Sequence, residues 1–302
     1  MDLDFVRIEC EILTASAIQI TAALYSAVRN FEGQCKAACC PDVQENCTSC
    51  SRSVGCQYRV LFAQQLSSDP EVVRLHQKPS LPFAFYISES GIETSAYTVG
   101  MVVIGSAVNH IDLLHTALLH TVEAGLSTVL SPLTYALRSY SLDYQGALHE
   151  ITPATALSES VILLSGQYIL HNTLHSDTVR LTLKSPMRLL SNGSIAHTFD
   201  FGSFFRAQLR RCSSLCAYYG TGELDLDFAR LSECANNVSI LDDAIHYAQP
   251  PWSNHLKRAG LTGMAECTGL IEPMSSLLRL GSYFNAGKGA TFGLGFHQIE
   301  IF

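Results

Sequence analysis

Cys47 and Cys50 are separated by two residues, the spacing at which two thiolates grip one tetrahedral ion. Cys56 supplies a third ligand and Cys40, or its neighbour Cys39, a fourth. With Cys35, six cysteines fall within residues 35–56. Four protein ligands leave no open coordination position, so the zinc that this loop predicts is structural, with no catalytic metal implied. No second CxxC accompanies the first, and a reduced, metal-free loop of spare thiols is the competing reading. A zinc deaminase is excluded: neither a His/Cys-x-Glu element nor a Pro-Cys-x-x-Cys pair occurs.

The other chemically suggestive stretch is "NAGKGATFGLGFHQIEIF", residues 285–302. Gly287, Gly289, Gly293 and Gly295 let the backbone approach a phosphate closely and present successive N–H groups to it. Lys288 adds a point charge. A Walker loop needs a following Lys-Ser/Thr and a helix, and a dinucleotide-binding loop a strand before and a helix after. Neither context exists here. The alternative is that the glycines only turn a tight hairpin.

Other residues suited to an anionic partner are Arg206 and Arg210, which share a helical face, and Lys257 and Arg258 in "WSNHLKRAG". His255 and Trp252 stand beside that pair and can hydrogen-bond or stack on a nucleotide. Near the N-terminus, a helical wheel over residues 15–31 puts Ile20, Leu24, Ala27, Val28 and Phe31 on a core face. It puts Ala22, Tyr25, Ser26 and Arg29 on the other. Tyr25 and Arg29 are one turn apart and can converge on a single phosphate. His110, His115 and His120 recur every five residues and fan around their helix, which argues against a shared metal. Cys212 and Cys216 line up with Phe205, Leu209 and Tyr219 as a core stripe.

These residues need a scaffold, and the composition supplies one. The chain of 302 residues is 47% hydrophobic and 15% charged, enough for two domains with real cores. Its net charge of −8 opposes general polyanion binding. The imbalance is uneven: 8 basic against 15 acidic side chains in residues 1–150, 11 against 12 in residues 151–302. A basic surface is therefore expected in the second half. The start lacks the basic and then apolar layout of a signal peptide, and no apolar run reaches the roughly 18 residues that span a bilayer. A soluble, cytoplasmic protein without membrane contact is the expectation, in which cysteines serve as metal ligands or buried thiols.

Hydrophobic periodicity then predicts a strand over 3–14, a helix over 15–31, strands at "PFAFYIS" and "SAYTVGMVVIG", a helix at "NHIDLLHTALLHTVEAG" closed by Gly125, and a strand at "LTYALRSYSLDY". This is the split β-α-β order of a ferredoxin-like domain. A looser copy follows: a strand at "DTVRLTLKSPMRLL", a helix ending at Gly220, a second short helix, strands around 240–250 and 261–272, a helical turn near 274–281 and a last strand. The fold class expected is α+β, two tandem ferredoxin-like domains. They divide as 1–150, with the cysteine-rich insertion at 35–56, and 151–302, with the glycine-rich loop at 287–295.

The cysteine loop ending in "CQYRVLF" and the terminal "GKGATFGLGFHQI" together resemble the CRISPR repeat-processing endoribonucleases of the RAMP superfamily, the sixth-numbered Cas family. The segments "RLTLKSPMRLL", "LRRCSSLCAYYG" and "LTGMAECTGLIEP" are weaker echoes of that family's second domain. The resemblance implies metal-independent cleavage of precursor CRISPR RNA, in which a ribose 2′-OH attacks the adjacent phosphate to leave a 2′,3′-cyclic phosphate and a 5′-OH. It implies CRISPR repeat RNA as partner, other Cas effector subunits as further partners, and a catalytic group on the first helix. The family's histidine falls near Tyr25 and Ser26, and this chain has none there. Tyr25 and Arg29, with His255 in reserve, are then the catalytic candidates. The alternatives are a catalytically silent subunit that holds the processed RNA and a RAMP backbone subunit.

Overall fold

The computed structural model describes residues 3–14, 19–43, 47, 50–51, 55–63, 66–77, 79–90, 96–152, 156–191, 193–253 and 258–302. The chain forms two compact units, one of Phe5–Phe83 with Ile87–Leu164 and one of Met1–Asp4, Ala84–Tyr86 and Ser165–Phe302. No described helix is long and apolar enough to cross a membrane.

The first sheet follows from β1 (Asp4–Thr14), whose buried Phe5, Ile8, Cys10 and Ile12 alternate with Arg7, Glu9 and Glu11. The elements after it are α1 (Thr21–Val28), α2 (Phe31–Cys39), α3 (Gln57–Phe62), α4 (Pro70–Leu75), β2 (Phe83–Ser90), β3 (Ala96–Ile104), α5 (Ile111–Leu126), β4 (Tyr135–Leu142), β5 (Leu148–Glu150), α6 (Leu157–Ser160) and β6 (Leu163–Ser165). The sheet runs β2-β3-β1-β4-β5, with β6 also on β1. β1 is antiparallel to both neighbours, with Ile8 opposite Met101 and Cys10 opposite Ser139. A first strand placed between the third and the fourth is the expected ferredoxin-like order.

The single helix expected over 15–31 is instead two, broken at Arg29 and Asn30, with residues 15–18 outside the described ones. Leu24 and Val28 of α1 and Phe31 and Cys35 of α2 are all buried, and both helices lie against α5. Gly125, expected to close α5, sits inside it. A Cβ there would come 2.9 Å from the Ala27 Cβ and 3.3 Å from the Ala23 carbonyl oxygen, so this glycine lets α1 approach. The Tyr58-x-x-Leu61-Phe62 segment forms α3, whose Phe62 ring meets Phe31 and Phe83 at 6.5 and 5.8 Å.

The second unit opens with α7 (Gly166–Asn172) and β7 (Thr178–Met187), then a small hairpin of β8 (Leu190–Ser191) and β9 (Ser194–Ile195). It continues through α8 (Phe201–Tyr219), α9 (Phe228–Asn236), β10 (Ser239–Asp243), β11 (His246–Ala248), β12 (Gly260–Thr268), α10 (Met274–Ser282) and β13 (His297–Ile301). The sheet order β10-β12-β7-β13 repeats that of the first unit, with β11 on β12. Asp200 caps α8 by accepting the Ser203 N–H at 2.7 Å, and Gly220 follows its last residue. Phe204, Phe205 and Leu209 of α8 pack with Val179, Leu181 and Ile299 of the sheet, and Cys212 and Cys216 extend the buried stripe. Burial pushes the Cys216 thiol up to about 12, which leaves an inert thiol.

Candidate nucleic-acid interface

The glycine-rich segment joins α10 to β13 and is held from several sides. Gly289 and Gly293, with φ of 89° and 88°, bracket a single 3-10 turn, Ala290–Phe292. The Phe292 N–H donates to the Gly289 carbonyl at 2.9 Å and Asn285 Nδ2 to that of Ala290 at 2.9 Å. At the base, the Ala286 N–H donates to Gly295 O at 3.1 Å and the Gly295 N–H to Pro186 O at 3.0 Å. A Cβ on Gly295 would overlap the Ala286 carbonyl oxygen. Buried Arg211 donates its Nε to Phe284 O at 2.6 Å, and burial pulls its guanidinium down to about 10.

The four glycines thereby divide into two pairs. Gly293 and Gly295 are buried and serve the turn. Gly287 and Gly289 are partly exposed on either side of exposed Lys288, and neither N–H has a hydrogen-bond partner among the described residues. Two uncommitted amides beside an ammonium form a small anion-seeking surface. The Lys288 N–H is spent on Arg188 O at 2.8 Å, which ties this surface to the residue that follows β7.

Most cations around the second sheet are already engaged. Arg180 lies between Glu266 at 3.2 Å and Glu300 at 3.3 Å. Asp242 is paired opposite Glu266, so this row of the sheet's outer face carries three carboxylates to one guanidinium. Arg206 donates to Asn236 Oδ1 at 2.6 Å and lies 3.6 Å from Asp200. Arg210, one turn further along α8, is exposed. The Arg258 guanidinium sits over the Trp252 ring at 5.4 Å, a contact that joins two of the sequence candidates. His255 and Lys257 lie outside the described residues. An aromatic pair absent from the sequence reading also appears: His197 stacks on Tyr247 at 4.0 Å.

On α1, Arg29 is exposed at the C-terminal cap, and Ser26 is exposed with it. Tyr25 is 4% exposed and packs inward with Leu24 and Val28, the reverse of its solvent-facing place on the wheel. At 100° per residue Tyr25 lies about 60° around α1 from Val28, at the margin of the core face, and is buried with it. His115 is half-buried with Nε2 2.9 Å from Ser139 Oγ, and burial lowers its pKa, as suits a core-edge histidine.

In the cysteine-rich segment the Cys39 Sγ donates to Cys35 O at 3.1 Å and the Cys40 Sγ to Asp42 O at 3.0 Å. Burial chiefly pushes the Cys39 thiol up, with Cys56 and Cys40 adding to the rise and the Tyr58 backbone opposing it. Tyr58 closes the segment from α3 by donating its hydroxyl to Glu32 at 2.7 Å. Among the described residues no group of three or more His, Cys, Asp or Glu side chains is placed to hold a metal, so the expected quartet of Cys40, Cys47, Cys50 and Cys56 is not assembled.

Comparison with known proteins gives two family matches. The model of the CRISPR-associated endoribonuclease Cas6 matches residues 181–296, and a model described as an N-terminal domain matches residues 3–160. Thermus thermophilus Cas6 superposes with a TM-score of 0.55 at 11% identity, covering 99% of each chain. The same protein in its product complex gives 0.54 at 12% identity, covering 98% of this chain and 99% of that one. A second Cas6 product complex gives 0.53 at 11%, with the same coverage. Identities this low speak to the shared tandem fold. No curated protein matches the chain.

Proposed function

The chain belongs to the family of CRISPR-associated Cas6 endoribonucleases, and on that premise we propose that it cleaves precursor CRISPR RNA within the repeat. The ribose 2′-OH attacks the adjacent phosphodiester and the 5′-oxygen departs, leaving a 2′,3′-cyclic phosphate and a 5′-OH without a catalytic metal. A base near the 2′-OH, an acid at the leaving oxygen and cations around the phosphorane are what the protein must supply.

The observation that carries this reading is the exposed edge of the glycine-rich turn, with two uncommitted amides and Lys288. It supports RNA anchoring by Gly287, Lys288 and Gly289, with Arg258 on Trp252 and exposed Arg210 as further contacts. Arg29 is the proposed source of charge for the phosphorane. His255, two residues before Lys257 in sequence, is the proposed proton carrier, and buried Tyr25 positions α1. A structural zinc in the cysteine-rich segment is a further proposal. It is supported by the density of thiols and by the nearness of Cys40 and Cys56 to Cys39.

Incubating the protein with repeat RNA in EDTA tests the reading. Cleavage that yields a cyclic phosphate, and that a 2′-deoxy at the cut site abolishes, is the expected result. Tight binding without cleavage would make the chain a silent holder of repeat RNA, a reading favoured by the lack of any histidine on α1.

A further inference from the structure

Arg188 follows the last residue of β7 and is wedged beside the glycine-rich turn. Its carbonyl oxygen accepts the Lys288 N–H at 2.8 Å, and a Cβ on Gly287 would lie 2.6 Å from that same oxygen. On its other side, a Cβ on Gly260 would come 3.1 Å from the Arg188 Cγ. Two glycines therefore leave the space that this arginine and its backbone occupy. The residue is only partly exposed, and its Nε is buried without a hydrogen-bond partner among the described residues.

A buried, unpartnered guanidinium nitrogen is costly and calls for an explanation. Arg206, Arg211 and Arg279 of the same unit each have an amide or carbonyl acceptor, and Arg180, whose Nε is also buried without a partner, has carboxylates on both of its other nitrogens. Arg188 has none, and no described carboxylate lies within 4.0 Å of it. Its backbone is bonded to Lys288 and packed against Gly287, so it adjoins the turn whose Gly287 and Gly289 amides are free and whose Lys288 carries an ammonium, groups that offer donors and no acceptor. A cluster of donors without an acceptor needs an anion, and a guanidinium presents its donors as a fork matched to two phosphate oxygens.

We infer that Arg188 is a phosphate-contacting residue whose guanidinium, with the Gly287–Gly289 edge, holds one phosphodiester of the bound RNA. The inference rests on the RNA-anchoring reading of the turn and adds a specific acceptor for the arginine. It assigns Arg188 a binding role and no part in proton transfer.

The experiment measures binding of repeat RNAs in which single phosphodiesters are replaced by neutral methylphosphonates, using the parent, Arg188→Ala, Arg188→Met and Arg188→Lys. Arg188→Met keeps length and packing, and melting temperatures confirm that each variant folds. For the parent, one linkage should stand out with a loss of about tenfold or more. Arg188→Ala and Arg188→Met should lose a similar factor on unmodified RNA, be indifferent to that linkage, and show a salt slope lower by about one. Arg188→Lys should fall between, keeping the slope and losing part of the affinity. Parental affinity in both neutral variants, or losses that add to every linkage alike, would overturn the inference. Lys288→Ala and Gly289→Val run beside them: if those weaken binding while the Arg188 variants do not, the turn reading stands without Arg188. If none weakens binding, the turn reading itself has failed.

Discussion

His297 Nδ1 lies 2.9 Å from the Gly295 carbonyl oxygen, and because a carbonyl only accepts, that nitrogen must carry the proton. Nε2 is then a lone pair facing Gln208 Nε2 at 3.3 Å, which also donates to Leu278 O at 3.0 Å. A Cβ on Gly281 would collide with Gln208, so α10 is shaped to admit this link. The foot of the glycine-rich turn is thus pinned to α8 and α10 through a histidine that is 1% exposed.

This pairing predicts a pH dependence of stability. Burial pulls the His297 pKa from 6.5 to about 4, with the Gly295 carbonyl opposing the fall. The folded state holds the ring neutral while the unfolded chain protonates it, so the contribution is full above about pH 6.5 and is lost as pH falls towards 4. At about 1.4 kcal/mol per unit, it amounts to on the order of 3 kcal/mol. Thermal melts across that range should fall more steeply for the parent than for His297→Gln. Parallel curves would refute the assignment.

The first helix makes a second prediction. Arg29 is exposed and Tyr25 is not. Arg29→Ala should slow cleavage by about 10²-fold, the scale of losing one electrostatic donor, with a much smaller loss of binding. Tyr25→Phe should leave the rate within a few-fold, since a hydroxyl inside the core is not presented to RNA, and Ser26→Ala should do the same. Single-turnover rates at saturating protein separate these effects. If His255→Ala abolishes cleavage while Arg29→Ala does not, the chemistry belongs to the segment around His255.

Much of the scaffold was legible because local pattern and tertiary demand agree. The alternation of β1, the Ile111, Leu114, Leu118 and Val122 stripe of α5, and the Asp200 and Gly220 ends of α8 each announce themselves in a few residues. The break at Arg29–Asn30 does not, because neither proline nor glycine marks it and the apolar spacing of Leu24, Val28, Phe31 and Cys35 runs on through it. Gly125 was misread for the opposite reason: a glycine near a helix end looks like a stop, and only the approach of Ala27 shows its use. Arg188 was unreadable as a site residue, since nothing local says that the end of β7 meets a turn 100 residues later.

The cysteine-rich segment yields a compositional test. If Cys40, Cys47, Cys50 and Cys56 bind zinc, elemental analysis of protein purified without chelator should find about one zinc per chain. Replacing Cys47 and Cys50 by serine should then lower the melting temperature of the first unit, and chelation should do the same to the parent. Metal-free protein that melts at an unchanged temperature would leave the six cysteines of residues 35–56 as reduced thiols and remove the zinc.

The division of the glycines gives the last prediction. Gly289 is partly exposed, so Gly289→Val should obstruct the approach of a phosphate and weaken RNA binding by roughly tenfold or more; Lys288→Ala should weaken it and lower the salt slope by about one. Gly295 is different, because its φ of 67° and the Ala286 carbonyl both forbid a side chain. Gly295→Ala must move Ala286 or unwind the turn, which should cost on the order of 3 kcal/mol of stability and reduce binding only as far as folding is lost. Gly289→Val has a φ of 89° to contend with, and its Cβ would meet the flexible Leu294 side chain at 2.9 Å, so its folding penalty should be the smaller of the two. Affinity measured at a temperature where both variants are folded separates the two roles. A Gly295→Ala protein that melts like the parent yet no longer binds RNA would place the phosphate at the buried pair, against the assignment to Gly287 and Gly289.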